Sequence, residues 1–326
     1  MTASGRFARF RLAALPTPLI PAPGLAQAVD AGSLYVKRDD LTGFAFAGNK
    51  ARPLEFLLAA ALEAGADTLV TGGAAGSNFC AATAAAARRA GLRCELVIAG
   101  QPGPPGSREG PALALARSWG AAVRWTGAAD RDSVDAGLPA AAAGLTASGR
   151  RPYLIPRGGA TGLGAIGYAL AVTELLAQLA AYGAAAARVV VAAGSGGTLA
   201  GLVAGNVLAG RPLRLAGASV SRPAEETAGR VLRLARECAA LLSPGADVGP
   251  DDVVVADARG PGHGLASTDG TAMAVEAMRT EGLMVDPVYT AKALTLVSRY
   301  ADEGDVVFWH TGGQLDAVAL AAEAGR

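Results

Sequence analysis

Along the chain, short apolar runs without polar alternation take turns with longer stretches of helical period. Residues 34–36 form one such run. Residues 51–64 follow as a helix, with Leu54, Leu57, Leu58, Ala61 and Leu62 on one face. Gly65 stops that helix; 68–71 read as strand, 78–90 as helix ending at Gly91, and 94–99 as strand again. The pattern then predicts helix over 112–119 and strands over 122–125 and 153–155. In the second half it predicts helices over 163–182, 198–208, 224–242, 271–279 and 291–300, with strands over 188–192, 213–219, 253–256 and 306–309. Strands that are apolar on both faces and separated by helices imply an α/β fold with largely parallel sheets. Proline and glycine make 101–110 and 243–252 irregular crossovers, neither long enough for a flexible linker.

Composition narrows this picture. A chain of 326 residues suits one large domain or two. Lys and Arg number 29 against 28 Asp and Glu, so no charge excess draws in a polyanion and no nucleic-acid partner is expected. Arg88 and Arg89 close the richest alanine tract, and no run is expected to span a membrane. Cys80, Cys94 and Cys238 lack metal-ligand spacing and cannot all pair, so neither a metal site nor a disulfide framework is expected. Pro16, Pro18, Pro21 and Pro23 stand where a secretion signal would carry an apolar core. The expected location is the cytoplasm.

Three segments carry candidate chemistry. Gly194-Ser195-Gly196-Gly197-Thr198 follows an apolar strand and opens a helix. Glycines there let backbone N–H groups approach an anion, two hydroxyls add donors, and the helix start adds its dipole. A phosphate or carboxylate site competes with a plain tight turn. Lys50 lies at the start of the helix over 51–64, where its charge opposes the dipole. If desolvated it becomes a nucleophile or base; otherwise it reaches solvent. Only Lys37 and Lys292 share its residue type. The loop over 72–78 joins a strand to a helix, where open α/β sheets place ligands, although Ser77 or Asn78 would also serve as a helix cap.

Taken in order, Lys37-Arg38-Asp39-Asp40-Leu41, Gly48-Asn49-Lys50-Ala51-Arg52, Gly76-Ser77-Asn78, the 194–198 loop, Asp286-Pro287-Val288-Tyr289-Thr290 and His310-Thr311-Gly312-Gly313 add a resemblance. The chain resembles the tryptophan-synthase-beta-like pyridoxal phosphate enzymes (fold type II). Within them it resembles the branch containing 1-aminocyclopropane-1-carboxylate (ACC) deaminase and D-cysteine desulfhydrase. That resemblance implies two open, twisted, mostly parallel sheets flanked by helices. It implies a small domain over 52–160, a larger one from 1–51 plus 161–326, pyridoxal 5'-phosphate between them, and a homodimer.

By the same resemblance, Lys50 carries the cofactor covalently and moves protons. Asn78 lies beside the cofactor's phenolic oxygen, and Ser77 contacts the substrate carboxylate and assists proton movement; a relay through Ser77 or Tyr289 is the alternative to the Lys50 amine for taking the Cα proton. Gly194, Ser195, Gly196, Gly197 and Thr198 cup the phosphate. Tyr289 faces the substrate, and Thr290 stands near the pyridine nitrogen where ACC deaminases carry glutamate. Departures cluster around the substrate: Gly76 for glutamine, Phe79 and Cys80 after the Ser-Asn pair, Pro53 for a basic residue, His263 in place of a second tyrosine, and Gln314 after His-Thr-Gly-Gly. Phe79 and Gln314 are therefore expected in the substrate wall, and His263 is expected among the catalytic groups. The expected reaction is α,β-elimination on a small amino acid such as D-cysteine, giving a 2-oxo acid and ammonia. Cyclopropane ring opening, β-replacement and a non-catalytic binding role stand as alternatives.

Overall fold

The computed structural model describes residues 7–104, 109–184, 187–262 and 264–318. In chain order the elements are β1 (Leu19–Pro21), α1 (Pro23–Ala28), β2 (Ser33–Arg38), α2 (Ala51–Glu63), β3 (Thr68–Gly73), α3 (Asn78–Arg89), β4 (Arg93–Ile98), α4 (Pro111–Ser118), β5 (Ala122–Trp125), α5 (Arg131–Ala147) and β6 (Pro152–Leu154). Then come α6 (Gly162–Ala181), β7 (Arg188–Ala193), α7 (Gly197–Leu208), β8 (Arg214–Ser219), α8 (Ala224–Leu242), β9 (Val255–Asp257), α9 (Thr268–Glu281), α10 (Thr290–Leu294) and β10 (Asp305–His310). They form two compact units. One joins the segment through Ala13 to Lys50–Ala160; the other joins Ala14–Asn49 to the chain from Thr161 onward.

The smaller unit holds a parallel sheet in the order β5-β4-β3-β6. Every residue of β3 is buried, as a strand covered on both faces requires. Gly72 is glycine because a Cβ there would lie 2.5 Å from the Val97 carbonyl oxygen and 2.6 Å from Val134 of α5. Residues 1–51 were expected in the larger domain, yet residues 7–13, together with Lys50 and Ala51, belong to this unit. Glu55 holds residues 7–13 there: its buried carboxylate accepts from Arg9 Nε (2.6 Å), Leu12 N (2.8 Å) and Ala13 N (2.9 Å).

The larger unit has a sheet in the order β1-β2-β10-β7-β8-β9, antiparallel only between β1 and β2. Val189, Val190 and Val191 in β7 are fully buried, and helices cover the central strands. α6 and α7 meet backbone to backbone. A Cβ on Gly201 would lie 2.2 Å from the Ala165 carbonyl oxygen, and one on Gly205 2.4 Å from that of Ala169. The thirteen-residue separation in the chain between Thr161, which caps α6 through Gly164 N (3.0 Å), and Glu174 contains no other charge.

Contrary to the expectation from sequence, α6 is long and apolar enough, by length and composition, to cross a membrane. In this unit it packs against α7 and α8. Its one acid, Glu174, pairs with Lys37 of β2.

Candidate active site

The smaller unit carries Lys50, Ser77 and Asn78. Lys50 closes a short 3-10 turn and precedes α2, so it does stand at a helix start. The other two lysines are committed elsewhere. Lys37 is fully buried and bonded to Thr17 O (2.6 Å), Gln178 Oε1 (2.7 Å) and Glu174. Lys292 donates to Arg259 O (2.7 Å) and Gly262 O (2.8 Å), and burial pushes its pKa down.

Ser77 caps α3, its Oγ accepting from Cys80 N at 3.3 Å. The turn leading to it needs Gly73, since a Cβ there would come 3.0 Å from both Cβ and Oγ of Ser77. Asn78, the first residue of α3, is half-buried. Cys80 is buried, its thiol pushed up to about 11 by desolvation, which suits a small core residue rather than a nucleophile.

Phe79 differs from its expected place in the substrate wall. It is 2% exposed, and its ring lies where a Cβ on Gly159 would meet Cε2 and Cζ at 2.6 Å. The α3 start turns this side chain into the core of the smaller unit.

In the larger unit the remaining motifs converge. Gly196, with φ +91°, is the N-cap of α7, a twelve-residue helix whose leading N–H groups lack intrahelical partners. A Cβ on Gly196 would meet Val231 Cγ2 of α8 at 3.3 Å, so the loop rests against that helix. The Gly194 carbonyl is held by Arg222 Nη1 (3.0 Å) and Ser221 Oγ (3.2 Å). Arg222 itself pairs with Glu226 at 2.7 Å. The Tyr289 ring borders the loop, with Cε1 3.2 Å from where a Gly194 Cβ would stand.

Asn49 ties two motifs together: its N–H donates to Thr311 O (2.8 Å) and its Nδ2 to Thr198 Oγ1 (2.9 Å). Gly48 permits this approach, because a Cβ there would stand 2.4 Å from Thr311 O.

Asp286 organises Tyr289 and Thr290. Its carboxylate accepts from Val288 N (3.0 Å), Tyr289 N (2.7 Å), Thr290 N (3.0 Å) and Thr290 Oγ1 (2.5 Å). Burial nevertheless pushes its pKa up. Thr290 is fully buried and gives its hydroxyl proton to Asp286.

His310 closes the set. Its Nδ1 accepts from Gly312 N (3.3 Å), so Nε2 carries the ring proton and donates to Met284 O (3.0 Å). Burial pushes its pKa down. Gln314 follows the glycine turn at the start of the helical residues 314–318 and is half-buried. His263 lies outside the described residues.

Reading by motif missed Asn49, Asp286, Ser221 and Arg222 as site residues. The first two sit inside recognisable segments; no local pattern marks the pair before α8. Among the described residues no group of three or more His, Cys, Asp or Glu is placed to hold a metal ion.

The 194–198 loop fits a phosphate group. Its glycine conformation exposes N–H groups at a helix start, and the Ser195 and Thr198 hydroxyls donate to no acceptor among the described residues. This fold and loop define an enzyme class, and comparison with known proteins agrees. The chain matches the profile of the pyridoxal-phosphate dependent enzymes over residues 10–312, and it belongs to that family.

Within it the chain has the tryptophan-synthase-beta-like type II fold and is related to the ACC deaminases and D-cysteine desulfhydrases. It is 37% identical over 318 residues to the D-cysteine desulfhydrase of Yersinia enterocolitica, covering 94% of each chain. It is 38% identical over 317 residues to that of Salmonella choleraesuis, again covering 94% of each. A crystal structure of an ACC deaminase homologue superposes with a TM-score of 0.87 at 32% identity, covering 98% of each chain.

Proposed function

We propose that the protein is a pyridoxal 5'-phosphate-dependent lyase that performs α,β-elimination on a small β-substituted amino acid, D-cysteine-like in size, to give a 2-oxo acid and ammonia. Bound pyridoxal phosphate supplies an electron sink for the carbanion left when Cα loses its proton. Lys50 holds the cofactor and its amine then takes the Cα proton. Ser77 binds the substrate carboxylate, Asn78 the cofactor's phenolic oxygen, and the 194–198 loop its phosphate. Tyr289, fixed by the Asp286 turn beside Gly194, orients the substrate.

The observation that carries elimination is Thr290. A glutamate at this position would place a charge that keeps a ring nitrogen protonated; threonine supplies none, and its hydroxyl is spent on Asp286. A weaker electron sink suffices when the β substituent leaves readily. The D-cysteine desulfhydrases among the relatives support the same substrate size. The protein is further proposed to act as a homodimer in the cytoplasm; its three unpaired, buried cysteines accord with a reducing compartment.

Two measurements test this together. Borohydride reduction of the holoenzyme should fix the cofactor to Lys50, and Lys50→Ala should lower turnover by at least about 10²–10⁴-fold. Label on Lys37 or Lys292 would overturn the assignment. Comparison of kcat/KM should rank a cysteine enantiomer or β-chloroalanine far above the cyclopropane amino acid; the reverse order would make ring opening the activity.

A further inference from the structure

We infer that Asn49 is a positioning residue that turns the Thr198 hydroxyl into a dedicated donor and so makes the glycine loop select a phosphate ester. This rests on the reading of that loop as the phosphate site. An amide nitrogen can only donate, and Asn49 Nδ2 donates to Thr198 Oγ1 at 2.9 Å. The threonine oxygen is thereby an acceptor on that side, and its own proton must point elsewhere. Among the described residues nothing accepts that proton. Thr198 is the second residue of α7, half-exposed, beside N–H groups that also lack intrahelical partners. A hydroxyl with one lone pair occupied and its proton directed into that place favours an anion over a neutral or cationic group.

Asn49 is itself held rigidly. It is 8% exposed, its N–H is bonded to Thr311 O at 2.8 Å, and Gly48 lies against the Thr311–Gly312 backbone. The direction of the Thr198 proton is thus set by a residue outside the loop, one position before the cofactor-bearing lysine.

Asn49→Asp reverses this polarity with nearly the same shape. The carboxylate takes the Thr198 proton, presents the oxygen's lone pair to the site and adds a negative charge. The experiment titrates apoprotein with pyridoxal 5'-phosphate and, separately, with pyridoxal, and reads the ratio of the two affinities. Losing one hydrogen bond to a charged group corresponds to about 10- to 100-fold in affinity. The ratio should therefore fall at least tenfold in Asn49→Asp. Thr198→Val should fall similarly and Thr198→Ser should keep the wild-type ratio. In the Thr198→Val background, Asn49→Asp should cost less than it does alone.

Wild-type protein that binds both ligands equally would overturn the loop assignment itself. Wild-type selectivity that survives in Asn49→Asp, or an Asn49→Asp loss of equal size with and without the Thr198 hydroxyl, would overturn the role of Asn49 alone. Should Asn49→Asp not fold, retained selectivity in Thr198→Val would overturn the proposal and loss restored by Thr198→Ser would support it.

Discussion

Phe79 and Gly159 form a pair in which each residue explains the other. Gly159 has φ +66°, and the space a Cβ would occupy is filled by the Phe79 ring. Gly159→Ala therefore meets two penalties, left-handed backbone strain and overpacking, the latter about 1–3 kcal/mol. A denaturant midpoint shift of that size is expected without a change in the ratio of cofactor affinities. A variant as stable as wild type would show that the ring relaxes freely. The same pair shows where sequence comparison misled. An aromatic residue where relatives carry a polar one looked like a changed substrate wall, but the residue after Asn78 points inward at the start of α3. Only the helix's rotational setting decides that, and no spacing in the sequence encodes it.

At the scale of elements, strand and helix order was legible because buried parallel strands lack polar alternation and helices keep their 3.6-residue period. α5 was not anticipated; Gly137, Pro139 and Gly144, all poor helix formers, lie inside it. Its Asp130 cap, bonded to Ser133 N at 2.7 Å, and the burial of Val134, Leu138 and Ala141 override them. The helix predicted over 291–300 divides into α10 and a 3-10 segment from Val297 to Glu303. The glycine loop was legible from chemistry alone; the Arg222 and Asn49 bonds that shape the site were not, because each depends on a distant partner. The Asp286 bonds are local to a recognisable segment, and nothing in that segment's spacing marks the aspartate as their acceptor. One element carries a sharp prediction. Gly205 sits against the Ala169 carbonyl, and α7 begins at the phosphate loop. Gly205→Val should push α7 from α6, lowering thermal stability and weakening pyridoxal phosphate binding together; a change in stability alone would mean the loop holds its shape independently of the helix behind it.

For the whole molecule, the buried imidazole of His310 links folding to pH. Desolvation depresses its folded pKa, with Asp40 and Asp286 opposing and Arg38 assisting. Below about pH 6.5 an unfolded chain binds a proton at this site that the folded chain refuses, so stability is present above that pH and is lost as pH falls toward the folded value. His310→Asn should flatten the dependence of unfolding free energy on pH just below 6.5, measured by denaturant titration across that range. An unchanged slope would assign the dependence to other groups.

The apolar character of α6 has a consequence for how the chain is made. During synthesis α6 emerges before α7 and α8, the two helices that cover it, and at usual elongation rates the interval is on the order of seconds. For that time the nascent polypeptide displays a stretch whose hydropathy meets the criterion for a bilayer-crossing segment, with Glu174 as its only charge and Lys37, the acid's partner, already delivered from the ribosome. The early arrival of that lysine gives the segment one polar tether to chain already made, a bias toward folding inward before its covering helices exist.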